Sequence, residues 1–169
     1  MAMARTPRIV VGLDPGLANV GLGAVSQSGK QPSLLDSTLI RTTSKTPIGK
    51  RLETIYRGTY AFLADSKPEA LALESQFFHQ QRQVSLKVGQ AIGVCLLAAE
   101  QLNIEVFEYG PMQVKQTLVG TGRADKSQVI FMVRALLGLT TNPQSNHVAD
   151  ALGLALTHLS TLQLDKIRT

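Results

Sequence analysis

Apolar and polar positions along the 169 residues change their period several times, and each change marks an element. Residues 8–14 (RIVVGLD) and 19–26 (NVGLGAVS) are nearly continuous apolar runs of strand length, and the segment SQSGKQPS separates them from a third run at 33–41. From residue 47 the spacing becomes helical: Ile48, Leu52, Ile55, Phe62 and Leu63 share a face, Thr46 stands as N-cap, Pro47 takes the first helical position and Pro68 follows the end. A short strand at EALALES, a helix over 84–101, a strand at IEVFEY and a helix opening at Pro111 come next. Asp125 and Gln128 have the spacing of a capping box for a helix that Gly138 ends, and a last helix spans 146–160. Three strands in succession, then helices alternating with strands, predict an α/β layer structure with a mixed five-stranded sheet flanked by helices. No repeat or linker divides the chain, so residues 1–169 read as one domain.

Two carboxylates interrupt this pattern. Side chains alternate along a strand, so Val10, Gly12 and Asp14 share one face of the first strand, and Ala70, Ala72 and Glu74 share one face of EALALES. Both acids end an apolar strand, on a face of mostly small residues, at the edge where α/β sheets bind ligands. If the helix between them makes a right-handed crossover, the two strands lie parallel and the two acids meet at one rim. Buried anions need a counter-charge, and neither neighbourhood in sequence offers an obvious Lys or Arg; a hard divalent ion would meet the need. In PQSNHVADALGLALTHL, His147 and Asp150 lie three apart on one side of a helix, while Val148, Leu152, Ala155 and Leu159 form a separate apolar stripe. Carboxylate oxygens select Mg²⁺ or Mn²⁺, and one imidazole in the set accommodates Mn²⁺. Taken singly, Asp14 reads equally well as a turn residue, Glu74 as an exposed strand end, and His147 with Asp150 as a solvated first turn. His79 and His158 have no comparable partners and read as surface or structural residues.

Charge narrows the choice. Lys and Arg outnumber Asp and Glu by 17 to 12, a balance that favours a polyanionic partner. The stretches 75–99 and 109–124 contain no acid, yet carry His79, Arg82 and Lys87, and Lys115 and Arg123. Basic stretches beside isolated carboxylates suit a phosphate backbone approaching a metal site. Cys95 lies within AIGVCLLAAE and reads as a small buried apolar residue. Neither a signal-peptide core nor a membrane-length apolar run is present, from which a cytoplasmic protein is expected.

The ordered segments GLDPGLANVGLG, ALESQFF, GQAIGV, FEYGPMQVKQTLVGTGRADKSQV and TNPQSNHVADALGLALTH resemble the RuvC family of Holliday-junction resolvases over nearly the whole chain. The resemblance implies an RNase H-like fold and a bacterial, cytoplasmic homodimer. It implies binding of four-way junction DNA with paired, symmetric nicks, and a RuvA–RuvB branch-migration complex as partner. Asp14, Glu74 and Asp150 match the family's metal-binding acids, and His147 stands where some members carry Asp and others His. Two ions about 3.5–4 Å apart would activate water for in-line attack and leave 5′-phosphate and 3′-hydroxyl ends. His147 is either a ligand or a proton carrier. Lys115 and Lys126 match positions near the scissile strand, with Lys126 placed to stabilise transition-state charge and Arg123 a further DNA contact. Phe77 and Phe78 occupy the region that inserts at the junction centre and stacks on bases, with Phe77 as the wedge and Gln76 and Arg82 as contacting neighbours. Gly89 and Gly93 present a small face on their helix, suited either to close packing on its own sheet or to a dimer seam.

Other readings compete. GTGRADKS approaches a phosphate-binding P-loop, but Asp125 replaces its last glycine and would set a carboxylate against phosphate. An actin-like ATPase shares the Asp-x-Gly turn after a first strand, yet needs two such domains. A nuclease acting on RNA in hybrids shares the carboxylates without needing the aromatic pair or a dimer, and a junction-binding module without catalysis would bind in the presence of chelator and never nick.

Overall fold

The computed structural model describes residues 7–75 and 82–168, with the backbone alone at 82–85 and 165–168. Its strands are β1 (Arg8–Asp14), β2 (Asn19–Gln27), β3 (Ser33–Arg41), β4 (Ala70–Glu74) and β5 (Glu105–Tyr109); its helices are α1 (Ile48–Ser66), α2 (Arg82–Gln101), α3 (Pro111–Val119), α4 (Lys126–Leu137) and α5 (Asn146–Arg168). The sheet order is β3-β2-β1-β4-β5. The first three strands form an antiparallel meander, and β4 and β5 then add in parallel to β1. This is the mixed five-stranded sheet that the pattern of elements predicts, in the RNase H-like α/β arrangement that the family resemblance implies.

Each face of the sheet has its own core, a direct result of strand alternation. Val11, Leu13, Leu71 and Leu73 pack with Ile55, Phe62 and Leu63 of α1 and Ala91, Cys95 and Ala99 of α2. Val10 and Ala72 pack on the other side with Val129 and Val133 of α4 and Val148, Leu152, Ala155 and Leu159 of α5. The predicted stripe on α5 is therefore buried, but so are Ala149, Ala151, Leu154, Leu156, Thr157 and His158, so the helix is enclosed almost all round, between the sheet and α3 and α4.

Three expectations change. Helix α1 begins one residue later than the sequence suggests: Pro47 is the N-cap, no side chain caps the helix, and Thr46 N–H donates instead to Thr43 C=O within the preceding turn. Ile48, assigned to the apolar face, is 46% exposed in that first turn. Helix α5 runs to Arg168 rather than stopping near 160, since no Gly or Pro after Ser160 ends it. By contrast the Asp125–Gln128 capping box forms in full, and Gly138, with φ of +64°, closes α4 in the left-handed conformation.

Candidate active site

The site is built where α5 lies on the sheet. Glycines on β1 and β2 let the helix backbone approach closely: a Cβ at Gly12 would stand 1.6 Å from Ala151 O, and one at Gly21 would stand 2.2 Å from His147 O. A side chain at either position would hold the helix off. The first turn of α5 is fixed by Ser145, whose Oγ accepts the Val148 N–H at 3.1 Å. His147 is thereby carried to the end of β1, where its Nδ1 lies 2.7 Å from Asp14 Oδ2.

Glu74 arrives by strand pairing. β1 and β4 run parallel in the register Val10↔Ala70 through Leu13↔Leu73, so Asp14 and Glu74 are the next residues at the same level, one strand apart. The parallel pairing and the shared rim drawn from the sequence thus hold for both acids. Asp150 faces the same space from α5, one turn after His147. Lys126, set in the first turn of α4 by the capping box, forms an ion pair with Asp150. A cavity of about 300 Å³ is lined by Asp14, Glu74, Asp150, Lys115 and Lys126, with Pro111, Val114, Val129 and Leu154 as its apolar wall.

These neighbours act on one another. Burial is the strongest influence on Asp14 and pushes its carboxyl above the ordinary 3.8; the His147 hydrogen bond opposes this, and the negative charge of Asp150 adds to it. Lys126, distant in sequence, brings positive charge to this group of acids: it pairs with Asp150 across 24 residues and also favours the ionised Asp14. Among the described residues no three His, Cys, Asp or Glu side chains are drawn close enough to hold one ion; imidazole and ammonium each take a carboxylate instead. The donor chemistry nevertheless suits a hard divalent cation: three carboxylates line one cavity, with the His147 imidazole behind Asp14 rather than in the lining, one acid is destabilised by burial, and another is neutralised by a lysine ammonium standing where positive charge is needed.

The other expected contacts divide. Lys115 lines the cavity from α3, whereas Arg123 is exposed in the loop before α4 and does not. Gln76, Phe77, Phe78 and His79 lie outside the described residues, as does the side chain of Arg82. Gly89 and Gly93 are exposed, and a Cβ at either would meet nothing within 4 Å, so close packing on their own sheet is not their role. His158 is structural and deeply buried: its Nδ1 lies 2.6 Å from Tyr109 Oη, and its ring packs on Phe107 with centroids 4.4 Å apart. The apolar wall of the cavity was not foreseen; Pro111 and Val114 sit i, i+3 on α3, with Lys115 next in line, a spacing that could have signalled a shared face.

Among the described residues no helix is long and apolar enough to cross a membrane. The model of the family described as crossover junction endodeoxyribonuclease RuvC matches residues 10–158. The RuvC of Thermus thermophilus is 43% identical over 153 residues, covering 89% of this chain and 92% of its own. That of Photorhabdus laumondii is 47% identical over 150 residues, covering 89% of this chain and 86% of its own. The solved structure of T. thermophilus RuvC in complex with Holliday junction substrate superposes with a TM-score of 0.89 at 41% identity, covering 94% of this chain and 96% of that one. With sequence and fold agreeing over nine-tenths of its length, the chain belongs to the RuvC family of crossover junction endodeoxyribonucleases.

Proposed function

We propose that this protein is a Holliday junction resolvase, a metal-dependent nuclease of homologous recombination and DNA repair that binds a four-way junction as a homodimer and nicks two strands symmetrically. The observation that carries the reading is the convergence of Asp14, Glu74 and Asp150, from β1, β4 and α5, on one cavity that also holds Lys115 and Lys126. A relative of 41% identity has been solved with junction DNA, which supports the choice of substrate.

Asp14, Glu74, Asp150 and His147 are the residues that would hold Mg²⁺ or Mn²⁺, as two ions. When bound, these supply Lewis acidity toward the phosphodiester. The hydrogen bond between His147 Nδ1 and Asp14 Oδ2 keeps the Asp14 carboxyl oriented and leaves the other ring nitrogen, Nε2, to ligate or to move a proton. Lys126, in exchanging Asp150 for a phosphate oxygen, neutralises charge that grows as phosphorus is attacked, and Lys115 adds to the positive potential of the cavity. In-line attack by water, forming one P–O bond as the P–O3′ bond breaks and O3′ takes up a proton, would leave 5′-phosphate and 3′-hydroxyl ends. Phe77, with Phe78 beside it, would wedge between bases at the junction centre, with Gln76, Arg82 and Arg123 on the backbone. The dimer would form through α2, where Gly89 and Gly93 leave open space between the exposed Leu86 and Leu97. Residues 1–169 would then act as one nuclease domain in the bacterial cytoplasm, together with a RuvA–RuvB motor.

The test is a synthetic four-way junction incubated with Mg²⁺, with Mn²⁺ and with EDTA, nicks being mapped on all four strands while binding is followed by fluorescence anisotropy. Wild-type protein should bind in all three and cut only with metal. Asp14→Asn should bind but cut at least a hundredfold more slowly; full cleavage by this variant would refute the assignment.

A further inference from the structure

A second polar cavity, of about 330 Å³, lies where β3 passes into α1 and is lined by Arg41, Thr42, Thr43, Thr46, Arg51 and Thr54. Its lining offers two guanidinium groups and the hydroxyls of Thr43 and Thr46, those of Thr42 and Thr54 being donated to the Leu17 and Lys50 carbonyls, and it holds no carboxylate. Arg8, Lys50, Arg57 and Lys126 each hold an acid, whereas among the described residues neither Arg41 nor Arg51 does. The turn before α1 lies on the same wall; no side chain caps that helix, which leaves its first-turn N–H groups without a side-chain acceptor. Such a set of donors matches an anion whose oxygens only accept, and guanidinium is the group best shaped for phosphate.

We propose that this cavity binds a backbone phosphate of the DNA substrate, outside the catalytic cavity; the proposal rests on the junction-nuclease reading above. Two features of the fold favour a DNA phosphate over a free anion. First, β2 is antiparallel to both β1 and β3, with Asp14 opposite Gly21 and Arg41 opposite Asn19, so Asp14 and Arg41 end their strands on the same rim of the sheet. Two strand spacings of about 4.8 Å and the two-residue offset along β2, about 7 Å, put these ends roughly 12 Å apart, a gap that one DNA strand crosses within a few nucleotides. Second, the cavity is tied to the segment that follows Asp14. Arg51 Nε donates to Thr42 Oγ1 at 2.8 Å, Thr42 Oγ1 donates to Leu17 C=O, and Thr42 N–H donates to Ala18 C=O at 2.9 Å. One continuous strand would thus contact both cavities, with its second phosphate held by residues bonded to the turn that supports Asp14.

The experiment measures affinity for a labelled junction in EDTA as a function of salt, for wild-type protein, Arg41→Gln and the charge-retaining Arg41→Lys. Arg41→Gln should weaken binding to all sequences alike and reduce the slope of log K against log salt by about 0.9, the share of one phosphate contact, while Arg41→Lys keeps most of that slope. A neutral methylphosphonate, moved singly through the first few phosphates on either side of the scissile one, should weaken wild-type binding at one position and leave Arg41→Gln unaffected there, a comparison that needs no further variant to fold. If Arg41→Gln matches wild type in affinity and slope, the cavity is not a DNA site although the junction reading stands. If wild-type protein itself binds no junction, both fail together. Saturable binding of inorganic phosphate, lost in Arg41→Gln while the junction slope is unchanged, would assign the cavity to a free anion and overturn the proposal.

Discussion

Gly12→Ala tests whether the close seating of α5 on the sheet creates the site. The added methyl would stand 1.6 Å from Ala151 O, 2.6 Å from Ala151 C and 3.0 Å from Ala155 N, all backbone atoms that no rotamer change can move. Reaching the 3.4 Å of ordinary contact requires the helix to retreat by roughly 1.8 Å, a shift that forfeits packing over Val148, Leu152 and Ala155. Overpacking of this kind costs about 3 kcal/mol, the upper end of its usual range, or roughly 6–12 °C in Tm for a chain of this size. Because the same helix carries His147 and Asp150, and a misplacement of ~1 Å costs about a hundredfold in rate, cleavage should fall by at least that much in any folded fraction. Gly23→Ala is the graded comparison: its methyl meets the Leu152 side chain at 2.5 Å, which can yield, so the loss should be smaller. Gly89→Ala, with open space around it in the interior of α2, should melt no lower than wild type and gain the helix propensity of alanine, about 1 kcal/mol. Thermal unfolding by circular dichroism and junction cleavage under single-turnover conditions give both readouts. Should Gly12→Ala melt within 1 °C of wild type and cut at the wild-type rate, the account of how α5 sets the site is wrong.

Three further outcomes are expected. Asp14 has a raised folded pKa, so the stability linked to its protonation is full below the unfolded value of 3.8 and is lost as pH rises through the folded value; without metal, Asp14→Asn should therefore melt above wild type at pH 7, with the gap closing on acidification. Mg²⁺ or Mn²⁺ should raise the Tm of wild type and not that of the variant, and a less stable Asp14→Asn at pH 7 would contradict the burial argument. Burial pushes the His158 imidazole below its ordinary 6.5, so its contribution is present above 6.5 and falls away as pH drops through that value; Tyr109→Phe should cost about 1–3 kcal/mol by orphaning His158 Nδ1, and His158→Leu should flatten the acid limb of stability between pH 7 and 5 in denaturant titrations. Burial pushes the Cys95 thiol up to about 11, so an aromatic disulfide reagent at pH 8 should leave it unmodified until denaturant is added; prompt reaction of native protein would show that α1 and α2 do not seal it.

Much of the site was legible because strand period is strict. With side chains alternating, Asp14 shares a face with Gly12, and Glu74 with Ala72, before any contact is known; parallel pairing then makes the two acids neighbours. The spacing of His147 and Asp150 likewise needs only the pitch of a helix. What escaped was whatever depends on distance in space. Lys126 and Asp150 are 24 positions apart, His147 and Asp14 are 133 apart, and Arg41 reaches Arg51 only through the turn that starts α1. The N-terminus of α1 was misread for a related reason: Thr46 has the composition of a cap, but its backbone N–H closes a turn on Thr43, and the helix starts after it.

The amino-acid sequence by itself determined the order of strands and helices, the face each acid occupies and the family, since all of these follow from local periodicity and from residue identity in order. Only the tertiary structure decided how closely α5 lies on β1 and β2, and hence which imidazole and which ammonium meet which carboxylate. That closeness is a matter of backbone against backbone at Gly12 and Gly21, a contact between distant segments that exists only once the sheet and the helix have been brought together.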